Sequence, residues 1–365
     1  MATPCHIAVV TGSRAEFGLL LAVMRAIAAH PKLELHTIVT GTHLTRSTWR
    51  DVVQAGFSID AKVTMQRKNE SGYAADVAAL SRGIAGLGQV FAKLKPDVVL
   101  VLGDRIEAFA AASAASIGGL RLAHIHGGDR AEGVADEAMR HAISKLAHFH
   151  FAATAQSQRR LIRMGEPRDC VMNVGSPAAD GLHQVIAAAD APQFIIMQHP
   201  IGGSDAHEAA WMKLTLAATV KLGNTKPTRL ILAPNSDPGS AGIGSALAQR
   251  SVVFTEHLPR HAFLSLLKGC QAIVGNSSAG LIEAAILGVP CVNVGPRQNG
   301  REKPGNVIDC DYGKASVQKA IAQAMTLRRD RIRHPYGDGN TGKRIAMLLA
   351  NLPISGAPPR KQNSY

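Results

Sequence analysis

The sequence predicts an α/β protein built from two doubly wound parallel sheets that face each other across a cleft. Three observations predict it. Apolar β-rich runs alternate with helical stretches, as they do where helices cross between parallel strands. The alternation runs twice, and the second series restarts after a Pro- and Gly-bearing link near "GSPAADGL". The chain has 365 residues, 46% of them hydrophobic, which is enough for two full cores.

The first series reads "HIAVV", "LELHTIV", "DVVLVLG", "LRLAHIH", "HFHFAAT" and "CVMNVG", with helices such as "EFGLLLAVMRAIAAH" and "EAFAAASAASIG" between them. The second reads "QFIIMQH", "TRLILAP", "SVVFTE", "CQAIVGNSS" and "VPCVNVG". The expected division is a Rossmann-like domain over 1–178, a second over 179–335, and a C-terminal helix over 336–352 that packs back on the first. The Pro-rich tail, 353–365, is expected to be disordered.

Composition narrows the function. No apolar run approaches about 18 residues, so no membrane span is expected. The N-terminus lacks a basic region and reads as a first strand, not a signal peptide. Five scattered cysteines without a C-x-x-C fit reduced thiols and a cytoplasmic protein, and Cys291 reads as packing. The net charge is +13, but the basic residues are dispersed and no stacking aromatics accompany them. That argues against nucleic acid and suits an anionic small molecule.

In open α/β sheets ligands bind beyond the carboxyl ends of the strands. Six polar clusters stand at such exits. In "VVTGSRAEFG", Gly12 and Ser13 can turn amides toward an anion and Arg14 can clamp a phosphate. The competing reading is a plain turn capped by Ser13. In "VLVLGDRIEA", Asp104 follows a wholly apolar run; it can serve chemistry or cap the next helix.

The stretch "HIHGGDRAEGVADEAMRHAISKLAHFHF" carries Asp129, Glu132, Asp136 and Glu137, then Arg140 and His141. Capping explains one of those carboxylates, not all four. On a strand, His124 and His126 share a face, but no third ligand stands at metal-site spacing, so no metal is expected.

The last three clusters belong to the second series. His199 leaves a strand in "IIMQHPIGG". In "AIVGNSSAGLIEAAILGVPCVNVG", Ser277, Ser278 and Gly280 open a helix as a phosphate loop, and Glu283 on that helix can accept from ribose hydroxyls. Arg297 and Arg301, read as a loop in "GPRQNGREKPGNVID", can balance a pyrophosphate.

Taken with "TGSRAEFGLL", "GDRIEA", "NVGSP", "GNSSAGLIEA", "RQNGRE", "NVI" and "PYGDG", these stretches carry a resemblance. From the first strand to near Leu352 the chain resembles the hydrolysing UDP-N-acetylglucosamine 2-epimerases of sialic-acid biosynthesis and their legionaminic-acid relatives. The resemblance implies a glycosyltransferase-B-like fold with UDP held mainly by the second domain. It implies elimination of UDP across C1 and C2 to 2-acetamidoglucal, then hydration with inversion at C2. N-acetylmannosamine and UDP leave, and no cofactor is needed. Sugar specificity at C4 and C6 stays open between UDP-N-acetylglucosamine and the 4-acetamido-4,6-dideoxy substrate of the legionaminic-acid route.

Carried over by position, Asp104, Asp129 and Asp136 match the catalytic carboxylates. Arg14 and His199 match phosphate- and substrate-side residues. Ser277, Ser278 and Gly280 match the diphosphate loop, and Glu283 the ribose acceptor. A homodimer or larger homo-oligomer is expected. One position departs: the family usually reads His-Gly-Gly-Glu, and this chain has Asp129. The shorter side chain sets the carboxylate back by about 1.5 Å, and misplacement of about 1 Å can cost about a hundredfold in rate. Glu132 is a nearby substitute.

Overall fold

The computed structural model describes residues 3–70, 72–131, 137–221, 226–235, 237–248, 252–256, 258–352, 356, 360–362 and 364. The chain divides into two compact units. The first comprises Met1–Asp129, Asp136–Asp180 and Gly337–Tyr365, and the second Arg130–Ala135 and Gly181–Tyr336.

The first unit holds strands β1 (Cys5–Thr11), β2 (Leu33–Thr40), β3 (Ala61–Val63), β4 (Val98–Leu102), β5 (Arg121–Ile125), β6 (Phe149–Ala152) and β7 (Val171–Asn173). They form a parallel sheet in the order β3-β2-β1-β4-β5-β6-β7. β4 and β5 are buried along their whole length, and β4 accordingly reads as an unbroken apolar run. Small residues let the helices lie close: Ala108, Ala110, Ala111, Ala112, Ala114 and Ala115 of helix Ile106–Ile117 are all buried.

The C-terminal helix Thr341–Ala350 packs on helix Arg14–Ala28. A Cβ on Gly342 would stand 2.6 Å from the Ala22 carbonyl oxygen, so only glycine permits this approach. Asp180 anchors the helix start by accepting from the Thr341 amide (2.9 Å) and the Gly342 amide (2.6 Å).

The second unit holds β8 (Phe194–Met197), β9 (Arg229–Leu232), β10 (Ala272–Gly275), β11 (Cys291–Val294) and β12 (Val307–Cys310). They form a parallel sheet in the order β12-β11-β10-β8-β9. The chain reverses direction across the first sheet between β1 and β4, and across the second between β8 and β10. Those switch points are where doubly wound sheets bind ligands.

Several details differ from the sequence expectation. Among the described residues of "SVVFTE" the pairing is one bridge, Thr255 to Leu232, and Val253 is 88% exposed, so that position is not buried in a sheet. β3 and β12 were not expected; both are edge strands of three and four residues, with little apolar pattern to read. Among the described residues of 353–365, the Gly356 carbonyl accepts from Arg121 (2.9 Å) and the Ser364 amide donates to the Gly165 carbonyl (2.8 Å). No helix among the described residues is long and apolar enough to cross a membrane.

Candidate active site

The first unit gathers its polar residues at the exits of β1, β4 and β5. After β1, Ser13 caps helix Arg14–Ala28 by accepting from the Glu16 amide (3.3 Å). Glu16 reaches back to take the amide of Gly12, the residue before the cap (2.7 Å), so the turn closes through both side chains in the manner of a capping box shifted by one residue. Burial pushes the Glu16 carboxyl up to about 8. The Gly12 amide expected for an anion therefore has an internal acceptor, and the cluster's outward cation is Arg14, paired with Asp51 at 2.7 Å and 38% exposed.

Asp104 follows β4 and caps nothing: the next helix has Arg105 at its N-cap and no side-chain cap bond. Instead Asp104 pairs with Arg140, whose side chain is 2% exposed. Arg140 also binds the Glu137 carboxylate (2.7 Å) and the Asp129 carbonyl (3.2 Å). One buried guanidinium thus ties the β4 exit, the β5 exit and the start of helix Glu137–Leu146. Its five donors in a fixed fork suit it to bind several oxygens at once.

The paired histidines do not share a strand face, because β5 ends at Ile125 and His126 has φ +64°. His124 is buried, with Nε2 on the Gly103 carbonyl (2.7 Å) and Nδ1 beside Ser144 Oγ (3.1 Å). Burial lowers it to about 3. His126 Nδ1 lies 2.8 Å from Asp129 Oδ2 and its Nε2 lies 3.0 Å from Ser176 Oγ. All four ring nitrogens have protein partners, which leaves the pair a structural, not a ligating, arrangement. Asp129 also accepts from Ser157 Oγ at Oδ1 (2.7 Å). Its carboxylate is held back on its own loop, oriented toward His126.

The second unit's polar residues meet at its switch point. His199 leaves β8 and Asn276 leaves β10. The His199 amide donates to Asn276 Oδ1 (2.6 Å), and Asn276 Nδ2 donates to the His199 carbonyl (2.8 Å). Burial, aided by the Arg297 charge, lowers His199 to about 3, so its ring is neutral. Its Nδ1 accepts from the Asn235 amide (3.0 Å), which puts the ring proton on Nε2.

Ser277 caps the turn after β10, accepting from the Ala279 amide. A Cβ on Gly280 would stand 2.4 Å from Cys291 Sγ, so that glycine is needed for close packing on β11. The expected single helix is broken at Ile282, which gives two short pieces, Ser278–Leu281 and Glu283–Ile286. Their dipoles are correspondingly small. Glu283 is 8% exposed and accepts from Arg260 Nη1 at 3.1 Å. Arg297 reaches the Asn276 carbonyl (3.4 Å) and Asp237 (3.6 Å). Arg301 has a buried Nε with no hydrogen-bond partner. Arg297 lies in the short 3-10 turn 296–298, and Arg301 in the loop that joins this turn to β12 at 307–310.

Asp104 and Asp129 are thus brought together in the first unit through Arg140. His199, Ser277, Ser278, Gly280, Glu283, Arg297 and Arg301 belong to the second. Asp136 and Glu132 lie outside the described residues. Two contributors stood out less in the sequence. Arg140 is marked only by its place one helical turn after Glu137. Asn235, whose backbone fixes the His199 tautomer, has no sequence signal.

A family model described as UDP-N-acetylglucosamine 2-epimerase matches residues 25–350. A Legionella pneumophila protein named UDP-N,N'-diacetylbacillosamine 2-epimerase (hydrolyzing) is 34% identical, covering 98% of each chain. A Neisseria meningitidis protein named UDP-N-acetylglucosamine 2-epimerase is 32% identical, covering 94% of each. The crystal structure of a UDP-GlcNAc 2-epimerase from Neisseria meningitidis, bound to UDP-GlcNAc, aligns with TM-score 0.80 at 22% identity, covering 94% of this chain and 99% of that one. The fold is accordingly glycosyltransferase-B-like, with two Rossmann-like domains. The chain belongs to the hydrolysing UDP-N-acetylglucosamine 2-epimerase family.

Proposed function

We propose that this protein converts UDP-N-acetylglucosamine and water to N-acetylmannosamine and UDP. The observation that carries the reading is the Arg140-centred cluster of Asp104, Asp129 and Glu137 at the strand exits. A transferase to a sugar acceptor has no need of such a cluster. The reaction breaks the C2–H and C1–O bonds, forms the C1=C2 bond of 2-acetamidoglucal, then adds a proton at C2 and hydroxide at C1. Oxidation state is conserved throughout, so the chemistry calls for acids and bases, not a redox cofactor. Asp104, Asp129 and Asp136 supply them in this reading, with His126 and Ser157 orienting the Asp129 carboxylate.

UDP is held by the second unit. Arg297 and the partnerless Nε of Arg301 meet the diphosphate beside Ser277, Ser278 and Gly280. Glu283 accepts from the ribose. His199, neutral with its proton on Nε2, donates to the substrate. Glu283→Ala is expected to weaken UDP binding about tenfold or more, the range of a hydrogen bond to a charged group. Titration calorimetry with UDP checks this, and unchanged affinity refutes the placement.

The Legionella relative favours a second reading, with UDP-2,4-diacetamido-2,4,6-trideoxyglucose as substrate. Parallel NMR time courses with both sugars decide it: the true substrate is the one with the larger kcat/KM. Release of UDP only when a sugar acceptor is added would overturn both readings in favour of a glycosyltransferase. The product would feed nonulosonic-acid synthesis, and we place the protein in the cytoplasm as a homodimer or larger homo-oligomer.

A further inference from the structure

The amino-terminal edge of the first sheet carries a second cluster that the proposed chemistry does not use. His6 is the second residue of β1, and Glu34 is its register partner on β2. His36, two residues along β2, points to the same face as Glu34. The His6 and His36 rings are stacked, with centroids 5.2 Å apart and planes 9° from parallel. His6 Nδ1 stands 2.9 Å from His36 Nε2, and Glu34 Oε1 lies 3.9 Å and 3.6 Å from those two nitrogens.

This edge lies opposite the exits that hold Asp104 and Asp129. The five residues from His6 to Thr11 put it about 16 Å away along β1 at the usual strand rise.

From these residues we propose a binding site for one divalent first-row transition ion, ligated by His6 Nδ1, His36 Nε2 and Glu34. The donor set, two imidazoles and a carboxylate, suits ions of this class. Two nitrogens 2.9 Å apart, each about 2.05 Å from an ion, subtend about 90°. That is the angle of tetragonal or octahedral coordination, the geometry of Cu2+ and Ni2+, with the remaining positions open to water.

The surroundings are arranged as the outer partners of a ligand. His36 Nδ1 faces Asp60 Oδ1 at 3.4 Å, which directs the Nε2 lone pair toward His6. Asp60 is itself fixed by the Thr37 amide at 2.7 Å. Asp97 accepts from the His6 amide at 2.8 Å and adds negative charge beside the site. The His36 side chain is 12% exposed and Glu34 48%, so the ligands are held on one side and open to solvent on the other.

The test uses untagged full-length protein. Ni2+ is titrated calorimetrically in a non-coordinating buffer, and Cu2+ is followed by electron paramagnetic resonance. The expected result is one tight ion per chain, with nitrogen hyperfine structure from two imidazoles. His6→Gln and His36→Gln should each weaken that ion about a hundredfold, and Asp60→Asn about tenfold, the range found for ligand-orienting partners. Equal affinity in the wild type and both histidine variants, or the absence of a tight stoichiometric ion, would overturn the proposal. Circular dichroism confirms that each variant is folded. Because the readout is metal binding, its failure leaves the epimerase reading untouched.

Discussion

Asp104→Asn is expected to lower kcat about a thousandfold while UDP affinity stays within twofold. A positioned acid or base contributes roughly 10²–10⁴-fold, and Asp104 stands at the β4 exit beside the switch point. The amide keeps the shape of the acid and can still accept from Arg140, so the loss is of charge and proton transfer, not of packing. UDP binding is assigned to residues of the second unit and should be spared. Single-turnover kinetics with UDP-N-acetylglucosamine, beside calorimetric UDP titration, separates the two. Near-normal turnover would remove Asp104 from the mechanism. The same loss is expected for Asp136→Asn.

Arg140→Met is expected to destabilise the protein by about 3–5 kcal/mol, the usual cost of breaking a buried ion pair from one side. Methionine fills the apolar part of the space, but Asp104 and Glu137 lose their shared countercharge, and the Asp129 carbonyl loses a donor. Arg140→Lys keeps the charge as a single point and should cost less, while losing the fork that joins three oxygens. Urea unfolding of the three proteins measures the order. A methionine variant as stable as wild type would mean that Arg140 does not hold the cluster together.

Much of this was legible in the sequence because strand exits in a parallel sheet are marked. A continuous apolar run ends, and polar residues begin, as at Leu102–Asp104 and Met197–His199. The two series of alternations follow from the same packing rules, whereas the close contact of Gly280 with Cys291 was not read from them. What was not legible depends on contacts far apart in sequence. His126 leaves the strand through a left-handed backbone that a spacing of two cannot reveal. The helix break at Ile282 separates Glu283 from the loop before it. Arg140 becomes central only when β4 and β5 come side by side. Asp129 shows the difference most clearly: its shorter side chain was visible, but its two anchors, His126 and Ser157, were not.

The most direct test of the central claim is the fate of the C2 hydrogen. UDP-N-acetylglucosamine and its 4-acetamido-4,6-dideoxy analogue are each incubated with the protein in D2O, without any acceptor, and followed by NMR. The account predicts free UDP together with a 2-epimerised free sugar that carries deuterium at C2, from at least one of the two. Release of UDP with the original C2 configuration and the C2 hydrogen retained would contradict it.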